Sequence, residues 1–150
     1  MDLEEQYDKI YRYCYFKVHQ REIAEDITQE TFLRFLESSG YRSKGKCLQY
    51  LYTIARHLCI DEYRKRKTRP LEDETVGSYS DDNMVTQISV KATLSELDET
   101  DRELLLLRYV NEVPVNVISK LYGVSRFSVY RKLLQATKEL KGKLGREDFM

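Results

Sequence analysis

The chain has 150 residues, with 25 Lys and Arg against 25 Asp and Glu, three cysteines and no tryptophan. That length holds one ordinary domain or two small helical ones, and a mix of 41% apolar and 33% charged residues suits helical bundles with wet outer faces. A formal net charge of zero argues neither for nor against nucleic acid, whereas the lack of a Gly-rich phosphate loop, a CxxC or a Ser/His/Asp grouping argues against an enzyme, a metal site or a cofactor.

The charge is polarised along the chain. Between Arg126 and Lys143, six cations (Arg126, Arg131, Lys132, Lys138, Lys141, Lys143) face Glu139 alone. Between Leu71 and Val90 there is no cation, only Glu72, Asp73, Glu74, Asp81 and Asp82. Such a chain can bring one part to phosphate and keep another off it. Cys14 and Cys59 fall on apolar helical stripes, as expected of reduced, buried thiols. The acidic start, Met1-Asp2-Leu3-Glu4-Glu5, has no apolar signal core, and no run approaches membrane-spanning length. A cytoplasmic location without membrane insertion is expected.

Taken in order, Tyr7, Ile10, Tyr11, Cys14, Tyr15 and Val18 follow the spacing of an amphipathic helix. A second helix is predicted from about Glu22 to Glu37. It turns Ile23, Ala24, Ile27, Thr31, Phe35 and Leu36 inward, and Glu22, Asp26, Gln29, Glu30, Leu33 and Glu37 outward. Residues 38–46, with two glycines and three serines, read as a loop. A third helix is predicted from Cys47 to about Lys67. Leu51, Ile54, Ala55, Leu58 and Tyr63 face its core side; Gln49, Tyr50, Thr53, Arg56, His57 and Arg64 face away. It ends in a basic run, Arg64-Lys65-Arg66-Lys67, and Pro70 limits further extension. Residues 68–90 have the acidic, apolar-poor composition of a linker.

The last block starts near Lys91. Thr100-Asp101-Arg102-Glu103 has the pattern of a capping box, with a helix predicted over Leu104–Val110. Pro114 suits the first turn of the next helix, Val115–Tyr122, which Gly123 ends. Val124 is expected to plug the corner, and Ser125 to cap a long helix from Arg126 to about Leu144. Ser119, Gly123, Val124 and Val129 have the spacing of two steeply crossing helices. That geometry turns Arg126, Phe127, Tyr130 and Arg131 outward, with Ser128 beside them, as a helix entering a major groove requires.

Three of these segments also carry a resemblance. Ala24-Glu25-Asp26-Ile27-Thr28-Gln29-Glu30-Thr31-Phe32-Leu33-Arg34 resembles the polymerase-binding helix of sigma factors. The stretch from Leu51 to Arg64 resembles their helix that binds the non-template strand, and Asp101 through the helix-turn-helix resembles their −35-reading domain. In order, spacing and length the chain resembles the extracytoplasmic-function group of the sigma-70 family, across nearly its whole length.

The resemblance implies an all-α protein of two small helical domains: a region 2-like bundle over 1–67, a flexible linker over 68–90, and a region 4-like helix-turn-helix domain of four helices over 91–150. It implies RNA polymerase core enzyme and promoter DNA as partners, with an anti-sigma factor as the usual control, and no catalysis. Carried over by position, Asp26, Gln29, Glu30, Phe32 and Leu33 would dock on the largest polymerase subunit, although Phe32 also fits the core. Tyr41, Arg42, Lys44, Lys46, Tyr50, Arg56, His57 and Arg64 would hold the melted −10 strand. Ser125, Arg126, Phe127, Ser128, Tyr130, Arg131 and Lys132 would read the −35 duplex.

The sequence departs from the family at several of these positions. Cys47 and Tyr50 stand where Phe and Trp are frequent, His57 where Asn is usual, and Pro114 where a capping Ser is. Phe127 replaces a frequent Gly, and Tyr130 a frequent basic residue; both are suited to thymine methyls or sugars, which implies an atypical −35 element. The other reading of the helix-turn-helix is a regulator that binds operator duplex alone.

Overall fold

The computed structural model describes residues 2–38, 46–68 and 97–148, with side chains placed through residue 143 except at residue 68. The chain divides into two compact units, Met1–Ser78 and Tyr79–Met150. That division falls within the stretch expected to join two domains, most of which lies outside the described residues.

In the first unit, α1 spans Leu3–Val18, α2 Arg21–Glu37 and α3 Cys47–Thr68. Asp2 caps α1, its Oδ1 accepting the Glu4 N–H at 3.0 Å and the Glu5 N–H at 3.4 Å. This satisfies two of the amide groups that a helix start leaves without partners. The helix stops at His19, which takes the left-handed φ of 59° and donates its N–H to the Tyr15 carbonyl. Gln20 alone then separates His19 from α2, so the two helices must turn sharply against each other.

Ile10, Tyr13, Cys14 and Val18 pack with Ala24, Ile27, Phe32 and Phe35, and with Leu51, Tyr52, Ile54, Ala55 and Cys59. Tyr13 and Tyr52 meet edge to face, with centroids 5.8 Å apart, a geometry the ring quadrupoles favour. Thr28 and Thr31 are fully buried, and their hydroxyls donate to the Ala24 and Ile27 carbonyls one turn back, at 2.6 and 2.7 Å. Each polar group is thereby satisfied without leaving its own helix. Arg66 reaches from α3 to donate to the Val18 carbonyl at 2.8 Å, which closes the end of α1. None of the three cysteines forms a disulfide, and Cys14 and Cys59 are buried as expected.

Two expected core residues face solvent, Leu36 at 47% and Tyr63 at 57% exposed, while Tyr7, Tyr11, Tyr15, Ile23 and Leu58 are half-buried. At Leu36 and Tyr63 the cause is helical precession. Each four-residue step overshoots a full turn by about 40°, so the rows Ala24, Thr28, Phe32, Leu36 and Leu51, Ala55, Cys59, Tyr63 drift off the buried face at their last member. Tyr13 and Tyr52, buried to 1% and 0%, were missed because each stands outside the row of apolar positions expected to face the core of its helix.

In the second unit, α4 spans Glu99–Leu105 and continues through a π-helical turn, Leu106–Val110, to α5 at Val115–Tyr122 and α6 at Arg126–Asp148. Three α-helices and the π turn thus form the described part; the start expected near Lys91 lies outside it. The Asn111 N–H closes the wide turn on the Leu106 carbonyl at 2.9 Å, and the Val113 N–H bonds the Leu107 carbonyl at 2.8 Å. Glu112, between them, holds a left-handed φ of 55°. The core is formed by Leu97, Leu104, Leu105, Leu107, Val113, Val115, Ile118, Val129, Leu133 and Ala136.

The expected capping box does not form. Helix α4 begins at Glu99, after Asp98, and has no side-chain cap. Thr100 is therefore already inside the helix, and Glu103 lies too far along it to reach back. Glu103 is instead buried, and its carboxylate accepts the hydroxyl of Tyr122 at the end of α5. Pro114 sits one position earlier than expected, as the N-cap with φ −60° and ψ 147°. Val124 does not plug the corner and is 37% exposed. The corner closes through the backbone instead: Gly123, at φ 67°, and Val124 both donate their N–H groups to the Ser119 carbonyl, which stops the helix at a left-handed residue.

Asp101 lies in the first turn of α4, and its carboxyl is held above the ordinary value of 3.8, chiefly by burial, then by the charge of Asp98, with Lys132 acting in the opposite sense.

Two outcomes follow from this unit. Nothing lies within 4 Å of a Cβ added at Gly123, so Gly123→Ala should cost only backbone strain, about 1–2 kcal/mol. Gly123→Asn should cost less, with both read as lost amide-exchange protection in α5 and α6. Because the folded state holds the Asp101 proton more tightly than the unfolded chain, this group favours folding most at acidic pH. That contribution is lost as pH rises from 3.8 through the folded value. Chemical denaturation at stepped pH should show that loss in the wild type and not in Asp101→Asn.

Candidate nucleic-acid interface

The turn just described fixes where α6 points. Its start is capped by Ser125, whose Oγ accepts the Ser128 N–H at 3.1 Å and lies 3.2 Å from the Ser128 hydroxyl. Val129, Leu133 and Ala136 bury one stripe of the helix. The opposite stripe is open: Phe127 is 73%, Tyr130 59% and Leu134 62% exposed, with Arg126 and Arg131 exposed beside them. The Arg131 guanidinium lies over the Phe127 ring, 5.8 Å from its centroid. An exposed face that alternates aromatic rings with guanidinium groups suits base edges and phosphates together.

Of the residues expected on this face, Arg126, Phe127, Tyr130 and Arg131 are brought together. Ser125 and Ser128 form the cap at its edge, where Ser128 is half-buried. Lys132 is exposed but lies about 140° round the helix from Phe127. It stands on the flank, where its charge acts on Asp101.

In the first unit, α2 presents Asp26, Gln29 and Leu33 to solvent, with Leu33 57% exposed. Leu36 extends this surface. Glu30 is half-buried, and its Oε2 pairs with Arg34 Nε at 2.8 Å, so the face is less acidic than its sequence suggests. Phe32 turns the other way: it is 9% exposed, and its ring centroid lies 5.2 Å from that of Tyr7. Its place is in the core, behind the outer face of α2 and not on it.

Tyr41, Arg42 and Lys44 lie outside the described residues. Lys46, just before α3, is exposed. Tyr50 is half-buried; its ring lies against Phe35 with centroids 6.1 Å apart, and its hydroxyl donates to Ser38 Oγ at 3.0 Å. It therefore ties the start of α3 to the end of α2. Further along α3, His57 and Arg64 are exposed and Arg56 is half-buried. Tyr63, expected on the core side, and Lys67, the last of the basic run, join that stripe, with the Lys67 ammonium 5.1 Å over the Tyr63 ring. The helical spacing of Arg56, Tyr63 and Lys67 was the available signal; the apolar weight given to tyrosine concealed it.

Among the described residues, no cluster of three or more His, Cys, Asp or Glu could hold a metal ion, and no helix is long and apolar enough to cross a membrane.

The chain is similar to known proteins along most of its length. A family model described as sigma-70 region 2 matches residues 3–69. The chain is 29% identical over 141 residues to the ECF RNA polymerase sigma factor SigM of Bacillus subtilis (strain 168), covering 88% of this chain and 86% of that protein. It is 26% identical over 156 residues to the ECF RNA polymerase sigma factor SigW of the same organism, covering 91% of this chain and 83% of that protein. Among solved structures, the fold matches the sigma factor RpoE in its co-crystal structure with the anti-sigma factor NepR from Bartonella quintana. That match has a TM-score of 0.64 and 17% identity, and covers 93% of this chain and 91% of the other.

Proposed function

We propose that this chain, similar along most of its length to extracytoplasmic-function sigma factors, is a member of that group of the sigma-70 family and directs promoter-specific initiation by RNA polymerase through two separate contacts with DNA. The observation that carries this is the open face of α6, where Arg126, Phe127, Tyr130 and Arg131 stand clear of a core that the same helix completes. In this reading α6 enters the major groove of the −35 element. The stripe of α3 from Arg56 to Lys67, with Lys46 and the loop residues Tyr41, Arg42 and Lys44, holds the non-template strand of the −10 element. The outer face of α2, with Asp26, Gln29 and Leu33, docks on the core enzyme. The protein acts in the cytoplasm, and an anti-sigma factor is its expected regulator. The two contact regions are the domains over 1–67 and 91–150, with 68–90 as the tether.

The chemistry is binding and positioning only. Stacking a base on an aromatic ring contributes about 1–3 kcal/mol and tolerates any sequence. Pulling a base from its stack costs a few kcal/mol, so strand capture offsets melting without driving it. The tether through polymerase raises the effective concentration of each unit at its own element, so neither needs high affinity alone.

Run-off transcription with purified core polymerase on genomic DNA tests the whole reading. Promoter-specific transcripts are expected only when this protein is added, and no gel shift of promoter duplex is expected without core enzyme. Asp26→Arg with Leu33→Arg reverses a charge and removes an exposed apolar anchor, so affinity for core polymerase should fall roughly a hundredfold with helicity unchanged. Assembly at wild-type affinity would show that this face is merely solvated. Tyr63→Ala should weaken holoenzyme binding to a non-template −10 oligonucleotide about tenfold, within the range of one lost base stack. Tyr63→Phe should bind as wild type, because the ring and not the hydroxyl is at work.

A further inference from the structure

On the outer face of α6, Phe127 is the most exposed of the large apolar side chains. An aromatic ring held in water gains nothing for the fold, and Val129 and Leu133 already bury the inner stripe. Arg131, one turn on, places its guanidinium over that ring at 5.8 Å. A guanidinium held over a ring face keeps its planar fork of N–H donors for other acceptors, and the contact narrows the orientations it can take.

We infer that Phe127 and Arg131 form one reading unit for a thymine beside a guanine, with Phe127 against the thymine C5-methyl and Arg131 donating to guanine O6 and N7. This rests on α6 being the helix that enters the −35 duplex. Both targets lie in the major groove, where the thymine methyl is the one apolar group on a base edge and guanine O6 and N7 match the Arg fork. The spacing fits as well. Four residues advance about 6 Å along a helix, neighbouring base pairs lie about 3.4 Å apart, and the contact between the two side chains draws their ends together. The pair therefore addresses adjacent base pairs, and the ring and the cation specify a step that neither specifies alone. Tyr130, exposed beside them, adds a polar tip but stands outside this contact.

The test uses the holoenzyme and the promoter recovered from run-off transcription. Each −35 thymine is replaced in turn by deoxyuridine, which lacks only the methyl group, and each guanine beside it by 7-deazaguanine, which lacks the N7 acceptor. At one thymine next to a guanine, deoxyuridine should lower wild-type initiation about three- to fivefold, the effect of one buried methyl. Phe127→Ala, at an exposed position that leaves the fold intact, should transcribe less well and equally from thymine and deoxyuridine. Arg131→Ala should likewise become indifferent to 7-deazaguanine at the neighbouring position. A wild-type holoenzyme indifferent to every deoxyuridine would overturn the assignment, as would a −35 element with no thymine beside a guanine, or a Phe127→Ala holoenzyme that still discriminates. A protein that initiates at no promoter would instead sink the sigma reading itself, so the two failures are told apart.

Discussion

One carbonyl oxygen, that of Ser119, sets the direction of the longest described helix. It accepts the N–H groups of Gly123 and Val124 as α5 ends, which forces the chain to leave in a fixed direction and enter α6 at Ser125. Glu103 reinforces that geometry from α4 by accepting the hydroxyl of Tyr122, the last residue of α5. A buried carboxylate with a committed donor locks the two helices together more firmly than apolar contact alone, because the donor's loss would strand it. With the corner fixed, burial of Val129, Leu133 and Ala136 leaves α6 one rotational setting. The side chains that remain outside are then the ones available to DNA.

The first unit obeys the same economy with different residues. A helix can bury one stripe, and each of the three described helices spends that stripe on a common centre around Tyr13, Phe35, Leu51 and Tyr52. What lies on the far sides is free to specialise: carboxylates and leucines on α2, cations and an aromatic on α3. Thr28 and Thr31 show how little polar chemistry the centre tolerates, since both hydroxyls return to their own helix. Tyr50 and Ser38 tie the start of α3 to the end of α2.

Much of this was legible from spacing. The extents of α2 and α3, the left-handed glycine at 123, the Ser125 cap and the outward turn of Arg126, Phe127, Tyr130 and Arg131 all follow from periodicity and turn chemistry, which act within a few residues. Most of the misses depend on partners distant in sequence. Glu103 fits a local capping pattern, yet its partner is 19 residues away on α5. Tyr63 and Leu36 fit an apolar row until the row drifts beyond the helices that cover it. Phe32 lies in a motif associated with docking, and only its contact with Tyr7 on another helix shows that it faces inward. Glu30 looks like a free carboxylate until Arg34 is seen to hold it.

The charge pattern explains why two such surfaces would sit on one neutral chain. Affinity for duplex without regard to sequence grows with the number of phosphates a protein neutralises and carries a matching salt dependence. A chain with 25 cations and 25 anions has little of that affinity overall, and among the described residues its exposed cations are densest at the end of α3 (Arg64, Lys65, Lys67) and along α6 (Arg126, Arg131, Lys132, Lys138, Lys141). Either surface alone would therefore hold DNA weakly and let go quickly. A third body that grips α2 would convert both weak contacts into one long-lived complex, and only where the two DNA elements lie at the distance that body dictates. Adding cations to either helix would strengthen binding everywhere at once and erase that dependence on spacing, so the neutrality of the chain is itself part of how it would select a promoter.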